Sequence, residues 1–156
     1  LAAHLPRAEL HAADISPPAL KVAAENARAL RLEARLRLYC GDLCAPLAQA
    51  GLCFTMAVSN PPYIASGELE SLPPQVKKEP YLALDGGGDG LDYFRRLCAE
   101  APPLLAPGGW LLLEHGAGQS PAVRRLAEAA GLAVCRVIRD YGGRERALLA
   151  QKPASA

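Results

Sequence analysis

The chain has 156 residues, the size of one domain with a substantial core, and its 17 Lys and Arg residues nearly balance 16 Asp and Glu residues. This balance lacks the basic excess of a protein that holds nucleic acid through its phosphates, so we expect no direct nucleic-acid binding. No apolar run has the length of a membrane span, and we expect no membrane partner.

The cysteines are odd in number and widely spaced, without a CxxC pair or a histidine placed to complete a zinc site. They are Cys40, Cys44, Cys53, Cys98 and Cys135. No basic and apolar leader precedes a cleavage site in the sequence. We therefore expect buried free thiols, no bound metal and a cytoplasmic location.

Short apolar runs alternate with helix-like stretches, which predicts βα units and a mostly parallel sheet. In the first half, strands are predicted over 9–13, 36–40 and 54–59. A helix is predicted from Ser16 to about residue 30, because a capping serine precedes two prolines in its first turn.

A Pro- and Gly-rich passage over 61–90 is too irregular for one element and is predicted to be a lid or substrate loop. The elements predicted after it are, in order, a helix over 91–105 that Pro102 and Pro103 break near its end, a Pro-Gly-Gly turn over 107–109, a strand over 110–114, a helix over 121–130 and strands over 133–138 and 146–150. The last two strands flank a Gly-Gly pair and predict an antiparallel hairpin. We expect one domain over 1–152 and a disordered tail over 153–156.

Polar residues stand where the first three predicted strands end. Ligands of open α/β sheets bind outside the carboxyl ends of the strands, so Asp14, Asp42 and Asn60 are predicted to converge on one crevice. Asp14 is suited to accept hydrogen bonds from both hydroxyls of a ribose, and the alternative is a cap on the following helix. Asp42 is suited to accept from an adenine amine while Leu43 packs on the ring, and the alternative is an ordinary Gly-Asp turn.

The tetrapeptide Asn60-Pro61-Pro62-Tyr63 directly follows the apolar strand 54–59. Two prolines fix φ and lack N–H groups, so the backbone after Asn60 is rigid and its carbonyls can face a ligand. If the Asn60 side-chain oxygen and the Pro61 carbonyl each accept one N–H of a planar NH2 group, they hold that nitrogen in a fixed orientation for attack on an electrophile. Tyr63 is suited to stack on the planar group. The alternative is a Pro-Pro turn that only ends a strand.

Three other polar residues have local explanations. Asp85 and Asp89 lie among glycines, but the spacing lacks the alternating oxygen ligands of a calcium loop, so we predict a tight turn that anchors the loop. His115 follows a predicted strand and is expected to make a structural hydrogen bond. The alternative is a place in the pocket that binds the planar NH2 group.

The tetrapeptide resembles the NPPY motif of amino methyltransferases with a Rossmann-like fold, which act on DNA adenine, RNA guanine or protein glutamine. The stretch EPYLALDGGGDGL over 79–91 is similar to the EP-x-x-AL-x-GG-x-DGL pattern of the release-factor glutamine methyltransferases. LEHG over 113–116 with Gln119, and RDYGGRER over 139–146, also fit that family. The resemblance spans nearly the whole chain.

The resemblance implies a class I methyltransferase sheet, mostly parallel with an antiparallel C-terminal strand. It also implies transfer of a methyl group from S-adenosylmethionine to the glutamine side-chain amide in the Gly-Gly-Gln motif of peptide chain release factors. Asp14, Asp42, Leu43 and Asn60 would then contact the cofactor. The tetrapeptide Asn60 to Tyr63, with both prolines, would form the catalytic and substrate-binding site.

One part of the family pattern has no counterpart, because no glycine precedes Asp14. We therefore expect a chain truncated at its N-terminus, without the first strand and the glycine-rich loop that wraps the cofactor, and with weak cofactor binding. Three alternatives stay open: a ribosomal-protein glutamine methyltransferase, a nucleic-acid adenine N-methyltransferase, and an inactive fragment.

Overall fold

A computed structural model describes residues 1–154, and Ser155 and Ala156 lie outside the described residues. The chain forms two compact units, Leu1–Leu52 and Cys53–Ala156. The single domain expected over 1–152 therefore stays a prediction, as does the tail over 153–156, of which residues 155–156 are not described.

The first unit consists of two βα pairs. Its elements are β1 (Leu10–Asp14), α1 (Pro17–Ala29), β2 (Leu36–Cys40) and α2 (Ala45–Gln49). Strands β1 and β2 pair in parallel, as predicted. Helix α1 begins after Ser16, whose side chain accepts the N–H of Ala19 at 3.3 Å, and prolines occupy the first turn, where their missing N–H groups leave no donor unpaired.

The second unit contains a four-stranded sheet. Its strands are β3 (Phe54–Ser59), β4 (Leu105–Glu114), β5 (Ala133–Arg139) and β6 (Glu145–Gln151). Its α-helices are α3 (Tyr81–Leu84), α4 (Asp92–Glu100) and α5 (Ser120–Ala129), and short 3₁₀ helices cover Ser66–Ser71, Val76–Lys78 and Pro102–Leu104.

The order of this sheet is β3-β4-β6-β5. Strands β3 and β4 are parallel, and β6 runs antiparallel to both β4 and β5. The predicted mostly parallel α/β sheet with an antiparallel C-terminal strand is confirmed. Within residues 1–154, β3 is hydrogen-bonded on one side only, and β1 pairs only with β2. That a first strand and a glycine-rich loop are missing stays a prediction.

Two boundaries differ from the sequence prediction. The helix expected to reach residue 105 ends at Glu100, because Pro102 and Pro103 cannot donate to a helical ladder. Strand β4 begins at Leu105 rather than at residue 110, with a shift of register opposite Phe54 and Met56. The predicted Pro-Gly-Gly turn therefore lies inside β4, where it forms an irregularity in the pairing with β3, and does not precede the strand.

The core of the second unit lies under α4 and α5. Its fully buried large side chains are Phe94, Leu105, Leu111, Leu113, Val123 and Leu148, together with His115. Burial alternates along β4, as expected for a strand whose one face is covered by helices. Within residues 1–154, no helix is long and apolar enough to cross a membrane.

The prediction of buried thiols holds only for Cys98, and burial raises the pKa of its thiol to about 11. It is wrong for Cys40, Cys53 and Cys135, which are exposed, and Cys44 is partly exposed. Among residues 1–154, the three exposed cysteines lie on or beside β2, β3 and β5, each of which pairs with one other strand, so fewer neighbouring side chains cover them.

We expect Phe94→Ala to lower the free energy of unfolding by about 3–5 kcal/mol, because it removes a large ring that is 0% exposed and leaves a cavity. Urea denaturation followed by circular dichroism measures this change. Tyr141→Ala, at a fully exposed aromatic residue, is the control and should leave the midpoint nearly unchanged. Equal effects of the two substitutions would contradict this account of the core.

Candidate active site

The acceptor loop, Asn60–Tyr63, follows the end of β3, where the sequence placed it. Asn60 is exposed, Pro61 is buried, and Pro62 and Tyr63 are half-buried. Within residues 1–154, neither the Asn60 side chain nor the Pro61 carbonyl has a hydrogen-bond partner. Both oxygens are therefore acceptors that no donor among the described residues satisfies.

Tyr63 is enclosed by glycines from two other loops. A Cβ on Gly90 would lie 2.5 Å from the Tyr63 carbonyl oxygen, and one on Gly116 would lie 3.1 Å from the Tyr63 ring. Gly90 also has a φ of +73°, which side chains rarely allow. The glycine-rich stretch therefore serves close packing against the acceptor loop.

Gln119 connects these loops by hydrogen bonds. Its Nε2 donates to the carbonyls of Tyr63 at 2.9 Å and Gly90 at 3.2 Å, and its Oε1 accepts the N–H of Gly116 at 2.9 Å. The sequence associated Gln119 with the family resemblance but assigned it no partner. Tyr63 is 56 residues away along the chain, and no local pattern reports a contact over that separation.

His115 is fully buried at the end of β4. Its Nδ1 bonds the Gly116 carbonyl at 2.9 Å, which confirms the predicted structural hydrogen bond. A carbonyl only accepts, so Nδ1 is the protonated nitrogen. Nε2 is buried and has no partner among residues 1–154.

The predicted tight turn among the glycines is also confirmed. Asp85 accepts the Ser66 hydroxyl at 2.7 Å and the Gly87 N–H at 3.0 Å, and Ile64 forms a parallel β-bridge with Asp85. The Ser66 hydroxyl, followed by the Gly87 N–H and the Tyr81 hydroxyl, lowers the pKa of the Asp85 carboxyl. Short helices and this bridge give structure to the passage over 61–90.

An open cavity of about 330 Å³ lies beside this turn. It is lined by Asp85, Gly87, Asp92, Tyr93 and Arg96. No residue of the acceptor loop is among these lining residues, so the cavity is a feature of the glycine turn and α4.

The other candidate residues lie in the first unit. Asp14 is exposed at the end of β1, and its Oδ1 accepts the Ser16 N–H at 2.8 Å. Ser16 and not Asp14 caps α1, so the capping alternative for Asp14 is wrong. Leu43, beside Asp42, has a φ of +44°, a strained conformation for a residue with a side chain and one that clusters at functional positions.

The predicted convergence of Asp14, Asp42 and Asn60 on one crevice stays a prediction, since the first two lie in one compact unit and Asn60 in the other. Among the residues that the structure describes, no three His, Cys, Asp or Glu side chains are placed to hold a metal ion. The arrangement in the second unit offers oxygen acceptors on a rigid backbone.

Solved structures show the class of fold. A methyltransferase from Pyrococcus furiosus superposes with a TM-score of 0.67 at 19% identity, covering 93% of this chain and 63% of that one. TrmN from Thermus thermophilus superposes with a TM-score of 0.64 at 23% identity, covering 97% of this chain and 39% of that one. The fold is therefore the Rossmann-like fold of class I methyltransferases. No protein-family model matches the chain.

Curated proteins with similar sequences indicate a narrower class than the fold does. The chain is 52% identical to a release factor glutamine methyltransferase of Moorella thermoacetica over 97% of its own length and 53% of that protein. It is 49% identical to one of Cereibacter sphaeroides over 99% of its length and 55% of that protein. A ribosomal protein uL3 glutamine methyltransferase of Bradyrhizobium diazoefficiens is 44% identical over 74% of this chain and 36% of that protein.

The resemblance to the release factor glutamine methyltransferases is thus confirmed over nearly the whole chain. The chain spans about half the length of the curated relatives it matches.

We expect Gly90→Ala to destabilise the protein more than Gly118→Ala. Both glycines have positive φ, +73° and +83°, but a Cβ on Gly118 meets no atom within 4 Å, whereas one on Gly90 meets the Tyr63 carbonyl. Gly118→Ala should therefore lower the free energy of unfolding only by the cost of a positive φ for alanine, about 1–2 kcal/mol. Equal shifts of the urea midpoint would show that the close approach to Tyr63 is unimportant.

We expect Ser66→Ala to raise the pKa of the Asp85 carboxyl, because it removes the main group that lowers it. A lowered folded-state pKa adds stability above the unfolded-state pKa, and that stability is lost as the pH falls through the folded-state value. The variant should therefore lose less stability on acidification than the parent. Carboxyl NMR titration measures the pKa, and Ser71→Ala, whose hydroxyl bonds the Glu68 carbonyl instead, should leave it unchanged.

Proposed function

We propose that this protein transfers a methyl group from S-adenosylmethionine to the side-chain amide nitrogen of the glutamine in the Gly-Gly-Gln motif of peptide chain release factors. The observation that carries the proposal is the pair of acceptors, the Asn60 side chain and the Pro61 carbonyl, that have no partner among residues 1–154 and lie on a proline-stiffened loop at the end of β3. The names of the curated relatives, at 52% and 49% identity, support the substrate.

An amide nitrogen is a poor nucleophile because its lone pair is delocalised into the carbonyl. The Asn60 oxygen and the Pro61 carbonyl would accept the two N–H groups, orient the nitrogen and stabilise the positive charge that develops on it. The half-buried Tyr63 ring would pack on the planar amide, and Pro62 would keep the acceptors at a fixed spacing. S-adenosylmethionine, when bound, supplies an electrophilic methyl group on a positively charged sulfur.

The residues proposed to contact the cofactor fit it in chemical type. Asp14 is exposed, and a carboxylate with one bonded N–H keeps acceptor capacity for ribose hydroxyls. Asp42 and Leu43 follow the end of β2, where a carboxylate and an apolar side chain suit the amine and the face of adenine. Asn60 is the fourth proposed contact.

The proposed partners are release factors, with neither membrane nor direct nucleic-acid binding, and the proposed location is the cytoplasm, where translation takes place. The second candidate substrate is a glutamine of ribosomal protein uL3. The name of the Bradyrhizobium relative favours it, but that match covers 74% of this chain against 97–99% for the release factor relatives.

The test is transfer of labelled methyl groups from S-adenosylmethionine to a purified release factor, to protein uL3 and to duplex DNA, side by side. It is run with this chain and with a chimera that adds the part of the Moorella relative that the chain does not span. Transfer to the release factor supports the proposal. Transfer to uL3 or DNA would show that one of these is the substrate instead. Inactivity of both this chain and the chimera refutes the function.

We expect Asn60→Ala to lower the turnover number by about 100-fold or more, because it removes an acceptor that acts on the developing charge. Thermal melting should change little, since Asn60 is exposed and has no partner among residues 1–154. Asn26→Ala, at an exposed position of α1, is the matched control and should keep the parent rate. An unchanged rate for Asn60→Ala rules out the acceptor mechanism.

A further inference from the structure

Gln119 stands at the N-terminal end of α5, but its side chain does not cap that helix. Residues in this position usually accept an N–H of the first turn, and Ser, Thr, Asp and Asn do so best. Gln119 instead directs its carboxamide to loops that precede it by 29 and 56 residues. The Gln119 side chain therefore stabilises the loops rather than the start of the helix.

Three of the four hydrogen-bonding positions of this carboxamide are occupied, both donors among them. Oε1 accepts from Gly116, and the two Nε2 hydrogens go to the carbonyls of Tyr63 and Gly90. A carboxamide offers two donors and an acceptor in one plane, whereas a carboxylate has no donor and an ammonium has no acceptor. Glutamine is thus matched to this junction by both its chemistry and its length.

The junction is anchored to the core. The Gly116 carbonyl accepts the Gln119 N–H at 3.2 Å and the His115 Nδ1–H at 2.9 Å, and His115 is 0% exposed. The loop that carries Gln119 is therefore held by a buried side chain at the end of β4, and its carboxamide is a fixed point.

We propose that Gln119 is a positioning residue that fixes the acceptor loop for methyl transfer, an inference that rests on the proposed function. It holds the Tyr63 carbonyl at one end of the loop, and β3 holds Ser59 at the other. The two prolines between them have fixed φ, so a displacement at Tyr63 is passed on to the Pro61 carbonyl. In-line transfer is sensitive to displacements of about 1 Å in such groups.

The first experiment does not depend on activity. Amide hydrogen exchange is measured for Ile64, Gly86 and Gly90, whose N–H groups bond to the carbonyls of Leu84, Ile64 and Gly87 in the segment that directly follows the acceptor loop. Gln119→Met keeps the length and removes every hydrogen bond of the carboxamide, so exchange should be faster at these amides. Gln151→Met is the matched control, because Gln151 bonds the Gly108 carbonyl at 2.9 Å in the same unit and does not touch the loop.

The second experiment measures methyl transfer to the release factor. Gln119→Met should lower the turnover number by about tenfold or more with a much smaller change in KM, because substrate contacts remain but their alignment is lost. Gln119→Glu should be impaired at pH 8 and recover relative to the parent as the pH falls, since a protonated carboxyl regains one donor. Gln119→Met should show no such recovery.

The outcomes separate this inference from the proposed function. Faster exchange only in the Gln119 variants, with a turnover defect absent from Gln151→Met, supports positioning. Unchanged exchange, or equal turnover defects in both Gln→Met variants, overturns it. If neither the parent protein nor the chimera methylates a release factor, the proposed function fails, and exchange alone then decides whether Gln119 holds the loop.

Discussion

The hydrogen bond from the Gln119 carboxamide to the Tyr63 carbonyl, 2.9 Å long, is the interaction on which the loop arrangement of the second unit depends. It joins the loop after β3 to the loop before α5, and the same carboxamide reaches the glycine turn at Gly90. Each of these backbone carbonyls is partly or fully buried and needs a donor. One side chain supplies both, and Gly90 and Gly116 provide the space for it.

The acceptor loop is held in place at Tyr63 and leaves the Asn60 side chain open to solvent. Tyr63 is held by other loops, whereas Asn60, three residues earlier, is exposed and has no partner among residues 1–154. An unpartnered amide in contact with water carries little penalty, and the same amide would be costly in the core. A loop that presents free acceptors from a fixed backbone is what in-line transfer to a planar nitrogen requires.

The similarity to curated relatives covers nearly the whole chain but about half of each relative. The acceptor loop and its supports lie in the second unit, and Asp14 and Asp42 lie in the first. Within residues 1–154, β1 and β3 each leave one edge unpaired, and such edges accept further strands. Because the candidate cofactor residues are divided between the two units, the cofactor proposal depends mainly on the relatives. The acceptor proposal depends also on contacts within the second unit.

The sequence by itself determined the order of the strands and of helices α1, α4 and α5, the end of β3 at the NPPY tetrapeptide and the family resemblance, because alternation, proline geometry and glycine turns act over a few neighbouring residues. Only the tertiary structure decided the start of β4 at Leu105, the exposure of three cysteines, and the junction of Gln119 with Tyr63 and Gly90. All three depend on which segments pack together, and the Gln119 junction joins residues 29 and 56 positions apart, a distance over which local propensity does not act.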